Sequence, residues 1–308
     1  MKKVFITGAS GCIGHYVIDL FINDNNYELY LLARDPKKFK FDYKNNERVN
    51  VCVGNLDKVE EHQKVIEVVD YVIHIATDWS DSDYATLLNL EKTHWIFENA
   101  RSAKKIIYFS TASILGKGNK PIIEAELYGS GYVKSKYLAY QHLQKMAYKD
   151  KVITVFPTLV FGGDSNHPYS HITSGIKPNL HYLKLLRFFY MDSGFHFLHS
   201  KDIALVVKYL LENKTEKNEY VLGTPSVTGK EAIALICRIF EIRMFFRFKI
   251  TAKFLFFLAK ILKIYVDPWS KFCIESPFFL YDVVDPKKFG IECFFPSLEA
   301  LLLDIKGQ

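Results

Sequence analysis

"ITGASGCIGHY", residues 6–16, places a glycine at every third position, Gly8, Gly11 and Gly14, directly after the apolar run "KKVFIT". The residues that follow, "CIGHYVIDLFIN", carry apolar side chains at helical spacing. The stretch therefore reads as strand, tight glycine turn, helix. The same alternation continues along the chain. "YELYLLAR" (27–34), "RVNVCVG" (48–54), "DYVIHIA" (70–76), "KKIIYFS" (104–110), "KVITVFP" (151–157) and "NEYVLG" (218–223) read as buried strands. Between them "VEEHQKVIEV", "DYATLLNLEKTHWIFENAR" and "YVKSKYLAYQHLQKMAY" read as helices.

Strands that alternate with helices form a parallel sheet covered on both faces, and right-handed crossovers make the doubly wound arrangement the economical one. The predicted fold is α/β, a Rossmann-type doubly wound parallel sheet with a smaller, mostly helical C-terminal substrate lobe. The expected boundaries are 1–161 and 192–222 for the dinucleotide-binding domain, with 162–191 and 223–308 forming the lobe. The strand-like "SPFFLYDVV" and the helical "SLEALLLDI" are assigned to that lobe.

Composition bounds the function. With 308 residues, 49% hydrophobic and 24% charged, the chain buries a full core and is not disordered. Cys12, Cys52, Cys237, Cys273 and Cys293 are odd in number and form no CxxC pair, which argues against a disulfide framework and a zinc site and for a reducing, cytoplasmic setting. The start "MKKVFITG" is too short in apolar residues for a secretory signal, and no run approaches the ~20 apolar residues of a membrane span. A net charge of +6 is modest, and nothing in its distribution points to nucleic acid.

In this setting the three glycines have a chemical reading. Between a first strand and a first helix they let the backbone turn tightly and approach a pyrophosphate, and they let helix pack on strand without a Cβ between; the helix N-terminus then receives the phosphate charge. The chemistry comes from "GSGYVKSKYLAYQHL" (129–143), which puts Tyr132 and Lys136 on one face at the start of a helix. Bringing a phenol from its ordinary pKa near 10 to 7 takes about three units, or roughly 4 kcal/mol, which an ammonium and an oxidised nicotinamide together supply. Upstream, "FSTASILG" (109–116) ends a strand with the hydroxyls of Ser110, Thr111 and Ser113, any of which could hold a reacting oxygen.

This set of motifs resembles the extended short-chain dehydrogenase/reductases, also called NAD-dependent epimerase/dehydratases. "VDYVIHIAT" (69–77) is similar to the family's fourth strand, "LLNLEKT" (87–93) to its asparagine helix, "FPTLVFGG" (156–163) to its R-P-x-x-V-Y-G segment and "FLHSKDIALVV" (197–207) to its F-V-H-x-x-D-x-A segment. The resemblance implies Thr111 as the catalytic hydroxyl, Tyr132 as acid/base, Lys136 as tuner of Tyr132 and ligand of the nicotinamide ribose, and Asn89 as a supporting polar group. It also implies a dinucleotide held by Gly8, Ser10, Gly11, Cys12, Ile13 and Gly14, by Asn55 and Leu56, by Ile75, Ala76 and Thr77, and by Lys136 and Pro157. His199 and Asp202 are expected to anchor a helix start rather than take part in chemistry. The implied activity is NAD(P)-dependent hydride transfer at a secondary alcohol or ketone carbon of a small hydroxyl or carbonyl compound, sugar-derived molecules included. A nucleotide-sugar epimerase that recycles its cofactor and a non-catalytic cofactor-binding regulatory protein are the alternatives. Family members dimerise through the helices that here contain Trp95 and Tyr140, so a homodimer is expected.

Departures from the pattern narrow this. Ala112 and Ser113 follow Thr111 where sugar-nucleotide dehydratases carry two carboxylates, which disfavours dehydration. Leu159 and Phe195 occupy positions where nucleotide-sugar enzymes carry asparagine and arginine, so two diphosphate contacts are missing unless Arg187, Arg238, Arg243 or Arg247 replaces them. In "LYLLARDPKKF" (29–39), Ala33 and Arg34 stand where NAD-binding members place a carboxylate, with Lys37 and Lys38 one turn on, which predicts NADP(H) held by Arg34 and Lys38. A one-residue shift would bring Asp35 to the ribose and favour NAD instead. In "KITAKFLFFLAKILKIYV" (249–266), Lys249, Lys253, Lys260 and Lys263 fall on one stripe of an apolar helix, read as buried on three sides within the lobe in preference to a membrane-surface helix or a partner groove.

Overall fold

The computed structural model describes residues 1–80 and 83–307. All seven runs read as strands are strands: β1 (Lys2–Thr7), β2 (Tyr27–Ala33), β3 (Val49–Val53), β4 (Tyr71–His74), β5 (Lys105–Phe109), β6 (Val152–Pro157) and β7 (Glu219–Leu222). They pair in parallel in one sheet with an eighth, β8 (Val283–Val284), in the order β8-β7-β6-β5-β4-β1-β2-β3. The order reverses between β1 and β4, and there a doubly wound sheet opens a crevice at its carboxyl edge.

Alternation along β1 assigns the two layers. Val4 and Ile6 pack with Val17, Ile18 and Phe21 of α1 (Cys12–Ile22) and with Ile203, Val206 and Leu210 of a later helix. Phe5 points the other way, onto Val72, Ile96, Phe97, Ile106 and Tyr108. Both faces are therefore dry, which is why these strands read as continuous apolar runs. The remaining α-helices of seven residues or more are α2 (Thr93–Asn99), α3 (Gly131–Leu143), α4 (His171–Leu186), α5 (Ser200–Glu212), α6 (Gly229–Ile239), α7 (Ala252–Ile261), α8 (Pro268–Glu275) and α9 (Leu298–Gly307).

Four features depart from the sequence reading. The helix expected over 83–101 is divided into a short turn, Asp83–Thr86, a wide π turn, Leu87–Lys92, and α2, which ends at Asn99. "VEEHQKVIEV" is divided between the end of a 3-10 segment, Leu56–His62, kinked at Lys58, and a single α turn, Gln63–Ile66. The strand in "SPFFLYDVV" belongs to the main sheet and not the lobe, because Val283 and Val284 pair with the edge residues Val221 and Leu222. The fourth departure is α7, in which no residue is buried. Only Lys253 and Lys260 of the four lysines are helical: Lys249 precedes the helix in the short strand Phe248–Lys249, and Lys263 follows it with φ 55°. Elsewhere the lobe is packed normally, with Ala232 and Ile239 of α6 against Leu298, Leu301 and Ile305 of α9.

Candidate active site

The glycine turn lies at the switch point between β1 and β4. Gly8 takes φ +72°, and a Cβ there would sit 2.8 Å from the Ala76 amide nitrogen. A Cβ on Gly14 would lie 2.2 Å from the Gly8 carbonyl oxygen, so α1 can approach β1 this closely only with glycine at that position. The Gly11 amide closes the turn on Gly8 O at 3.0 Å, and no side chain caps α1 behind it. The first amides of α1, with Ser10 beside them, could receive a phosphate. Cys12 and Ile13 would enter such a site through their backbone. The Cys12 thiol turns inward to Ser200 Oγ at 3.2 Å, and burial pushes it up to about 11.

The other expected cofactor residues lie at successive strand ends. Ala76 N donates to Thr7 Oγ1 at 3.2 Å, next to Ile75, whose own amide donates to the Thr7 carbonyl. Past β3, Asn55 caps Leu56 N at 2.9 Å and donates to the Tyr84 hydroxyl at 2.9 Å. Pro157 ends β6. Arg34 and Lys38 are exposed just past β2. Asp35 does not reach toward them: its carboxylate caps the 3-10 turn Pro36–Lys38 by accepting from Lys37 N at 3.0 Å.

Tyr132 and Lys136 project from the first turns of α3, whose N-cap is Ser130, onto the end of β5. Both are buried, as is Thr111. Burial pushes the Tyr132 phenol up to about 12, an effect partly offset by its hydrogen bond with the Thr111 hydroxyl. The Lys136 ammonium donates to the Phe109 carbonyl at 2.7 Å, lies 4.9 Å from the centroid of the Tyr108 ring, and is pushed down to about 7 by burial. Thr111, Tyr132 and Lys136, distant in sequence, thus share one small volume.

Asn89 stands one layer behind them. Its carbonyl oxygen accepts from Thr77 Oγ1 and Asp78 N, both at 2.9 Å, and its amide donates to Asp78 O at 2.8 Å and Ser135 Oγ at 3.0 Å. With these bonds filled, Asn89 ties the loop after β4 to α3. His199 caps α5 through Lys201 N, and the Asp202 carboxylate accepts from the amides of Phe294 and Phe295 at 2.8 and 3.0 Å. Trp79 was not singled out by the sequence reading. Its indole stacks on Tyr132 at 4.0 Å and 17°, with His171 of α4 edge-on to it at 5.5 Å. The available signal was an aromatic just past the carboxyl end of β4, beside the crevice.

A parallel doubly wound sheet, a glycine cradle at its switch point and a buried tyrosine–lysine pair at the neighbouring strand ends define a nicotinamide-dinucleotide enzyme of the extended short-chain dehydrogenase type. The chain belongs to the NAD dependent epimerase/dehydratase family, whose model matches residues 4–223. It is similar in fold to the crystal structure of gox2253 (TM-score 0.72, 19% identity, 100% of this chain and 97% of that one). It is similar also to a UDP-N-acetylglucosamine 4-epimerase from Methanobrevibacter ruminantium M1 in complex with UDP-N-acetylmuramic acid (TM-score 0.67, 20% identity, 99% and 97% covered). Vestitone reductase from alfalfa, Medicago sativa, is a third (TM-score 0.67, 16% identity, 100% and 97% covered). No curated protein sequence matches the chain.

Proposed function

We propose that this protein is an NADP(H)-dependent reductase or dehydrogenase acting at a ketone or secondary alcohol carbon of a small molecule. The observation that carries the reading is the convergence of Thr111, Tyr132 and Lys136 beneath the Trp79 indole. A bound nicotinamide supplies the hydride donor or acceptor. The Thr111 hydroxyl holds the substrate oxygen against the Tyr132 phenol, which gives a proton to that oxygen in reduction and takes one in oxidation. A phenol pushed up to about 12 is protonated at neutral pH, so the resting site holds the proton that a reduction delivers. Lys136, when charged, stabilises the phenolate left behind. Asn89 is a positioning residue that sets α3 against the loop after β4.

The turn suits the pyrophosphate of the cofactor, since no side-chain cap occupies the first amides of α1. Arg34 and Lys38 supply donors for a ribose phosphate. The hydrogen bond that engages the Asp35 carboxylate with Lys37 N supports this preference over NAD.

A nucleotide-sugar epimerase is the second reading, favoured by the family and by the neighbour of that activity. Leu159 and Phe195 weigh against it, because an apolar pair stands where a sugar diphosphate would need donors. A homodimer is part of the proposal, across the groove lined by Leu90, Trp95, Leu138 and His142. Tyr140 lies within the chain, its hydroxyl on Glu219 at 2.8 Å, and so does not face that groove.

The test is NADPH consumption against a panel of ketones and aldehydes, with wild type and Tyr132→Phe. Loss of the proton donor should lower turnover by about 10²–10⁴ while NADPH affinity stays within about threefold. Turnover retained within tenfold removes Tyr132 from the chemistry, and interconversion of sugar nucleotides without net NADPH loss would replace this reading with the epimerase.

A further inference from the structure

α7 turns its apolar stripe outward. Phe254, Phe257, Leu258 and Ile261 follow the i, i+3, i+4, i+7 spacing of one helix face and are 49%, 61%, 39% and 59% exposed. Lys253 and Lys260 flank one edge of that stripe. The apolar surface continues past the helix into Leu262, Ile264 and Tyr265, and before it into Phe245, Phe246 and Phe248, all exposed. It also joins the end of α4. Phe188 packs on Phe245 and Phe246, the strand Phe189–Tyr190 pairs with Phe248–Lys249, and Tyr182, Leu185 and Leu186 are exposed beside them.

Charge singles out the same surface. Residues 165–191 and 242–266 hold nine basic side chains and no acidic one. The rest of the chain has 31 basic against 34 acidic residues, so these two segments carry the whole positive excess. Among the described residues Lys249 is paired with Asp192, and no carboxylate pairs with Lys253, Lys260 or Lys263. No helix among the described residues is long and apolar enough to cross a membrane.

We infer that this face of the lobe docks on the surface of an anionic lipid bilayer, with the α7 stripe in the acyl boundary and its cations among the headgroups. Exposed aromatic and aliphatic side chains bordered by unpaired cations have the chemistry of an interfacial helix. An anionic bilayer also matches the charge that a neutral or acid-free protein groove would not. α4 runs from His171, at the Trp79 lid, to this face, so docking holds the pocket within one helix length, about 24 Å, of lipid. The inference does not depend on the redox reading, and its test uses no turnover.

The full chain is sedimented with vesicles of phosphatidylcholine alone and with vesicles containing roughly a third phosphatidylserine. Binding should be at least about tenfold tighter to the anionic vesicles and should fall as salt rises from about 0.1 M to about 1 M. Phe257→Glu/Ile261→Glu and Lys253→Glu/Lys260→Glu should each weaken binding at least tenfold with the melting temperature held within a few degrees, since these side chains are exposed. Equal binding to neutral and anionic vesicles overturns the inference, as does no binding to either. So does a dimer, seen by light scattering, that Phe257→Glu/Ile261→Glu dissolves, because the face then covers a second copy.

Discussion

Replacing Lys136 by methionine tests the buried pair through stability rather than turnover. The wild-type ammonium is fully enclosed, and burial lowers its pKa from 10.5 to about 7. Between these values the unfolded chain binds a proton that the folded chain does not, so stability rises with pH in that window and is at its lowest below about 7. Integrated from pH 7 to 9, the gain is roughly 2 kcal/mol, out of roughly 5 kcal/mol available across the full shift. Methionine keeps the unbranched stem and removes the proton. The other titrating groups are shared by both proteins and cancel in the difference. Urea unfolding at pH 7, 8 and 9 should therefore show the variant losing its relative advantage by roughly 2 kcal/mol as pH rises. In the variant the Phe109 carbonyl, 2.7 Å from the ammonium in the wild type, loses its donor at every pH, which offsets that curve from the wild type by a constant. Parallel curves for the two proteins would show that Lys136 is not held in a desolvating site, and the account of the Tyr132–Lys136 pair would fail with it. The same variant should also lose most NADPH-dependent turnover.

Three further outcomes are expected. Arg34→Ala should weaken NADPH by roughly 1.5–3 kcal/mol in a fluorescence titration and leave NADH nearly unchanged; equal losses would show that Arg34 reads no phosphate. Gly14→Ala, whose Cβ would lie 2.2 Å from Gly8 O, should cost about 1–3 kcal/mol in denaturant unfolding and weaken both cofactors at least tenfold, and unaltered affinity would remove the cradle. Uridine-, thymidine- and guanosine-diphosphate sugars should give little thermal shift on the cofactor-loaded protein, whereas a true ligand at a hundredfold excess over its Kd adds about 2.7 kcal/mol, and a clear shift with one would promote the epimerase reading.

The sheet was legible because its physics is local. Val4, Phe5 and Ile6 are each buried whichever way they point, and Gly8, Gly11 and Gly14 meet requirements of a single turn, so apolar runs and glycine spacing suffice to place them. Tyr132 and Lys136 were equally readable, one helical turn apart at a helix start. What needed the tertiary structure depends on residues far apart in the chain. Trp79 covers Tyr132 only because β4 ends and α3 begins at the same edge of the sheet. Asn89 ties the loop after β4 to α3 because Thr77, Asp78 and Ser135 fill its hydrogen bonds. Val283 and Val284 join the sheet because β7 presents a free edge, which no local propensity records. For α7, periodicity identified a lysine stripe on an otherwise apolar helix, but only packing decides which way the apolar side faces: among the described residues no neighbouring element buries it, so a helix that reads as core lies open along that side.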